Sequence, residues 1–309
     1  MDAIRTFRRN HPVIFSIIAV AICVIIGLHV FAFIYNHTIY YLIDSARMNE
    51  GAGTIFADCI ISIAAIAILV ITGRSAIITR KGQGFFRGLF VALPVLCYQI
   101  FSIYYMVSVA AAILSGDAPA QYGEIVAAMG QPLFDTASVV VIISYLMVGL
   151  AEELVCRGIV GQTLLERFGA DRAGIWKALA ISAVIFGVVH GQNIIAGSDA
   201  MGTAIQVFQT IFAGLFLGAV YFRTGNIWVV ALLHGLNDVM ASSSSWLFQS
   251  AAESGAGAAA AASLSPTMMT LPLIYLCLTL FLLRKSKLGD VKKNWEPELS
   301  TWQAEKDAA

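Results

Sequence analysis

The stretch Gly149–Gly161 reads GLAEELVCRGIVG. Two adjacent acids, Glu152 and Glu153, close an uncharged run that begins at Thr136, and Arg157 follows Glu153 by four residues. Carboxylates in such surroundings are expensive unless paired, hydrated or protonated, and intramembrane ionisable residues are functional candidates by default. On a helix Glu153 and Arg157 share a face one turn apart and can pair. Glu152 is rotated by about 100° and is left free for other work. The alternative reading of this stretch alone is a juxtamembrane acid pair with an arginine closing the helix.

Working outward, the whole chain of 309 residues is 59% hydrophobic and 12% charged, with a mean hydropathy of +0.80. A soluble domain carries about 25% charged residues, so the composition is that of a polytopic membrane protein. The formal net charge is zero, and no nucleic-acid partner is indicated. The five cysteines (Cys23, Cys59, Cys97, Cys156, Cys277) lie in or beside apolar runs and form no CxxC pair. They read as small apolar residues, not as a disulfide or thiolate-metal framework.

Eight apolar runs predict eight helices, over about 13–35, 55–73, 88–114, 136–156, 178–195, 203–222, 227–241 and 268–283. The first is long enough to span and reads as a retained anchor. The seventh is short and is expected to extend toward Trp246. With eight spans, Arg47 alone of the 19 lysines and arginines falls in one set of connections. Basic residues mark the cytoplasmic side, so both termini are expected there. The expected architecture is an all-α transmembrane bundle, multi-pass, in the cell membrane. Residues 1–135 form its N-terminal helices, 136–241 a core of helices four to seven, and 242–309 an outer loop, helix eight and a tail. The outer loop 242–266 is rich in Ser, Gly and Ala and reads as mobile. The tail from Arg284 reads either as a surface helix on the inner leaflet or as a disordered segment.

Two later stretches match the first in kind. Helix five carries Phe186-Gly-Val-Val-His190, and helix seven carries His234-Gly-Leu-Asn-Asp238. Each pair shares a helical face. A lone intramembrane histidine is usually an interhelical hydrogen-bond partner, but few structural needs gather two acids, two imidazoles and a further carboxylate in lipid. His29 and Asp58, read as near the outer ends of their spans, are expected to be structural or interfacial.

Three chemistries could use such a cluster. A carboxylate and an imidazole can activate water while a second imidazole stabilises an oxyanion, which is peptide hydrolysis. The same groups could bind a divalent metal, with ligands from different helices since HExxH is absent from the sequence. A Glu–His chain could also relay protons in a transporter. Counting along the helices from the basic ends puts His234 about 12 Å deep and His190 about 20 Å, with Glu152 about 7.5 Å from Arg157. They meet only if helix five starts later or runs beyond the bilayer, or if the helices tilt.

In order and interval, EExxxR, FxxxH and HxxxD resemble the CAAX-prenyl-protease and bacteriocin-processing family of membrane proteases (CPBP, or Abi). The resemblance covers about 136–241. It implies an all-helical intramembrane endopeptidase acting on a membrane-associated peptide or protein, of prenylated CAAX type or bacteriocin-related. By resemblance Glu152 and His190 activate water, and His234 with Asp238 forms the electrophilic side. Glu153, Arg157 and Phe186 support them. A divalent metal such as zinc, held by Glu152, His190, His234 and Asp238, is implied as well. Asp238 is the less familiar variant of its motif; an ionised Asp cannot donate to an oxyanion, which shifts weight toward orienting His234 or ligating a metal. The other readings are a non-enzymatic membrane scaffold or regulator and, third, a proton-coupled transporter, against which stands the lack of paired repeat halves.

Overall fold

The computed structural model describes residues 2–43, 45–117, 119, 123, 130–195, 197–248 and 267–307. The chain begins with α1 (Asp2–Asn10), α2 (Pro12–His37) and α3 (Ala46–Ile71), then two short helices, α4 (Ala76–Thr79) and α5 (Phe85–Val91), and the long α6 (Leu93–Ser115). The core follows: α7 (Thr136–Glu153), a π-helical segment Leu154–Gly161, α8 (Gln162–Phe168), α9 (Arg172–Val189), α10 (Gln192–Ile195), α11 (Ala200–Thr224), α12 (Ile227–Ala241) and α13 (Ser243–Leu247). Two helices, α14 (Thr267–Leu282) and α15 (Lys285–Asp307), complete the described chain.

This is an all-α polytopic membrane protein. Among the described residues six helical stretches are long and apolar enough to cross a bilayer, and two shorter apolar ones, Ile227–Ala241 and Thr270–Leu282, accompany them. The lipid-facing sides stay apolar, as Ile25, Ile63 and Phe101 show, each more than half exposed. Local chemistry sets the helix starts. Ser45, Asp135, Asp171 and Asp199 each accept a backbone N–H of the first turn of α3, α7, α9 and α11. Asn226 does the same for α12 from Trp228 and Val229. Such caps satisfy donors that a helix end leaves unbonded.

Several expectations change in detail. The third run is two helices, broken at Ala92. The fourth does not end near Cys156 but continues to Phe168 as one stretch of 33 residues. The seventh ends at Ala241, and the chain bends at Ser242 before α13. The tail from Lys285 is helical, and its Trp295 and Trp302 are buried against the bundle rather than turned to a membrane. Over 249–266 the Ser/Gly/Ala-rich loop lies outside the described residues.

At the core α7 packs along α3 on one side and α12 on the other, while α9 pairs with α11 and α11 with α14. The α7–α12 crossing depends on two glycines. A Cβ on Gly149 would lie 2.4 Å from the backbone N of Gly235, and one on Gly235 would lie 2.8 Å from the Cα of Leu146. Small residues allow such close backbone approach in membranes. The turn from α11 to α12 is buried, with Thr224 at 0% and Asn226 at 4% exposure. Gly225 takes the left-handed conformation there (φ 66°) and α15 covers the turn. Trp295 Nε1 donates to the Phe222 carbonyl (2.8 Å), Arg80 stacks on the Trp295 ring and bonds the Asn294 carbonyl, and Arg74 lies over Trp302.

Candidate active site

Glu152 and Glu153 end α7, and the π segment carries Arg157. π segments are uncommon and recur at functional sites. Its wide turns leave carbonyls that side chains reach: Ser182 donates to the Cys156 carbonyl (3.3 Å) and Gln162 to that of Gly158 (2.8 Å). Arg157 donates to Glu153 Oε1 at 2.7 Å and to the Gly214 carbonyl at 3.0 Å. The pair is 1% and 0% exposed. Arg157, counted above among the residues that set orientation, is therefore an interior ion-pair partner, not a loop residue.

Glu153 Oε1 has a second partner, His234 Nδ1, at 2.9 Å. His190 Nδ1 meets the Phe186 carbonyl at 2.9 Å. Carbonyls and carboxylates only accept, so in the neutral imidazoles both protons sit on Nδ1 and both Nε2 lone pairs are presented inward. They converge on one atom. Glu152 Oε2 lies 4.0 Å from His190 Nε2 and 3.7 Å from His234 Nε2, and Asp238 Oδ2 lies 3.6 Å from the latter. Glu152 Oε2 is buried without a protein hydrogen-bond partner. The Phe186 ring stands edge-on to both imidazoles (centroids 5.2 and 5.5 Å) and carries the Arg157 guanidinium at 4.7 Å. All seven residues singled out in the sequence thus stand in one assembly.

The mismatch in depth is resolved by the longer fourth stretch and the buried turn. Glu152 lies about 24 Å from each end of the continuous Thr136–Phe168 stretch. The start of α12 is itself sunk under α15, so His234, about 10 Å along α12, reaches the same level as His190 at the end of α9.

A cavity of about 210 Å³ opens beside the cluster, lined by His190, His234 and Asp238 together with Gln99, Gln206, Gln209, Thr210, Asn237, Tyr275 and apolar side chains. Asp58 was underrated by sequence. Because α3 starts at Ser45, Asp58 is mid-helix and buried, and it interacts electrostatically with Glu152, Asp238 and His234. Extending the third helix back to its Ser45 cap would have revealed this.

Among the described residues no three His, Cys, Asp or Glu side chains already stand as a metal-binding group. The chemistry of the donor set nonetheless suits a divalent ion. Two imidazoles have Nδ1 tied to an acceptor, which is how histidine ligands are oriented, and they share an orphaned carboxylate oxygen.

Fold and site together define a helical membrane protein with a carboxylate–imidazole centre sunk in its interior. Residues 134–240 match the family model described as Rce1-like, Type II CAAX prenyl endopeptidase. That segment carries all three motifs, and the resemblance to the CPBP family of intramembrane proteases stands on it. No curated protein and no solved structure matches the chain.

Proposed function

We propose that the protein is an intramembrane endopeptidase that cleaves a membrane-associated substrate at the Glu152–His190–His234 centre. The supporting observation is the convergence of two Nε2 lone pairs, from α9 and α12, on the unpartnered Glu152 oxygen. A water held there can give its proton to Glu152 as its oxygen attacks the peptide carbonyl carbon. Glu152 then passes that proton to the leaving amine nitrogen as the C–N bond breaks. Protonated His234 would donate from Nε2 to the oxyanion, its charge balanced by Glu153 on one side and Asp238 on the other. His190, held by the Phe186 carbonyl, positions the water. With a divalent metal bound instead, Glu152, His190, Asp238 and an unprotonated His234 would hold it, and the ion would supply carbonyl polarisation and a more acidic water in place of the His234 donor. The low-dielectric surroundings strengthen each of these interactions.

The matching family model is described as a CAAX prenyl endopeptidase, and a cavity with both polar and apolar walls suits a lipid-anchored peptide. The test uses detergent-purified protein and a farnesylated peptide ending Cys-Val-Ile-Met, alongside a comparison of protein C-termini in membranes holding wild type or Glu152→Gln. Release of the tripeptide by wild type alone supports the reading. If Glu152→Gln changes no C-terminus and no peptide is cut, the scaffold reading replaces it.

A further inference from the structure

We propose that Gln99 on α6 and Gln206 on α11 hold the substrate backbone in extended form across the cavity, an inference that rests on the protease reading above. Gln99 is 1% exposed, and its Nε2 donates to the Leu233 carbonyl at 2.9 Å, one residue before His234. A carbonyl only accepts, so this bond decides which end of the amide is which. The Oε1 end is buried and has no protein partner, although Gln99 lines the same cavity as His190, His234 and Asp238. A buried acceptor without a donor is costly, and more so in membrane surroundings. The donor fitting this place is an N–H of the bound peptide.

From another wall, Gln206 accepts on Oε1 from Asn193 Nδ2 at 2.9 Å, and an amide N–H remains beyond that bond. An acceptor and a donor on different walls answer a specific need. Successive N–H and C=O groups of an extended chain point in opposite directions. Proteins that bind extended peptides usually offer a free strand edge, and the described residues contain no strand beyond one isolated bridge. Side-chain amides take over that task. Gln99 is a positioning residue: it binds the peptide beside the scissile bond and sets the carbonyl over Glu152. The predicted specificity is for a substrate with a free N–H at that position, which excludes proline there.

The test is an ester scan. The farnesylated Cys-Val-Ile-Met peptide is compared with versions in which each non-scissile N–H in turn is replaced by an ester oxygen. The kcat/KM ratio of amide to ester, taken within one preparation, is independent of how much protein is folded. In wild type one ester position should lower kcat/KM by roughly 3- to 10-fold, the scale of one hydrogen bond. In Gln99→Met that ratio should fall to about 1, because the two changes remove the same bond. Gln206→Leu should raise KM without altering that ratio. A ratio in Gln99→Met equal to that of wild type at every position overturns the proposal, as does a uniform loss on all peptides with a lower melting temperature, the mark of a purely structural clamp on Leu233. If wild type cuts no peptide at all, the protease reading fails and this inference falls with it.

Discussion

Glu152 and Glu153 are neighbours in the chain with separate partners. In the proposed mechanism Glu152→Gln preserves shape and removes the base, so it should leave the melting temperature nearly unchanged while lowering the rate by about 10²-fold or more. Arg157→Ala strands a carboxylate that is 0% exposed. Breaking a buried pair costs about 3–5 kcal/mol, so this variant should melt earlier or accumulate poorly. Glu153→Gln combined with Arg157→Gln should regain part of the stability but not the activity, because His234 loses the carboxylate on its Nδ1. A melting series read beside the cleavage assay separates these outcomes; equal melting of Arg157→Ala and wild type would remove the ion pair from the account. Asp238 is tested by Asp238→Asn against Asp238→Ala. If Asp238 orients His234, Asn should keep partial activity and Ala none. If Asn inactivates as fully as Ala and a chelator does the same to wild type, the negative charge serves a metal.

At the scale of elements, the α7–α12 crossing sets the distance between Glu153 and His234. Gly149→Ala places a methyl against backbone that cannot move without parting the helices. Overpacking of this kind costs about 1–3 kcal/mol, and the 2.9 Å bond between Glu153 and His234 should lengthen with it. The expected result is a lower melting temperature and a larger loss of activity than the melting shift explains. Gly158→Ala is the control, since its new methyl would meet only ordinary contacts at 3.5 Å and beyond; if it is as damaging as Gly149→Ala, the crossing is not the cause. The three motifs were legible in sequence because each is a local i, i+4 pattern. The Glu153–His234 bond joins residues 81 apart in the chain, and no helical period announces it. Gln99 was equally invisible: its meaning depends on a carbonyl 134 residues away. The apolar run alone puts Asp58 near a helix end, whereas the Ser45 cap makes it mid-helix.

For the whole molecule, the distribution of basic residues predicts that Arg47 stands alone at one end, and the structure gives that arginine a task. It binds Asp135 Oδ2 (2.8 Å), Ser138 Oγ (3.1 Å) and the Trp246 carbonyl (3.1 Å), tying the start of α3 to the start of α7 and the end of α13. Burial works against the Asp135 charge, but hydrogen bonds from Ser138 and the charge of Arg47 prevail and hold its carboxyl below the ordinary range. A depressed carboxylate contributes stability above its unfolded pKa and loses it only as pH falls through the lower, folded value. The tie should therefore survive mild acid, and a melting temperature compared at pH 7 and pH 5 should show no loss that Asp135→Asn abolishes. The basic end is proposed as cytoplasmic. In a cysteine-free background, Asp117→Cys and Ser286→Cys should label from opposite sides of the membrane, Ser286→Cys from the cytoplasm; labelling of both from the same side would overturn the eight-span topology. Trp295→Ala removes the ring on which Arg80 stacks and the bond to Phe222. Loss of a buried tryptophan costs about 3–5 kcal/mol, and activity should fall with it, since the turn into α12 is left open.

That last contact also orders events in time. The three motifs leave the ribosome before Lys285–Asp307 does. The turn into the helix of His234 takes its floor from Trp295, which is made later than either motif-bearing helix. On the protease reading proposed above, activity should therefore appear only once that later helix has docked.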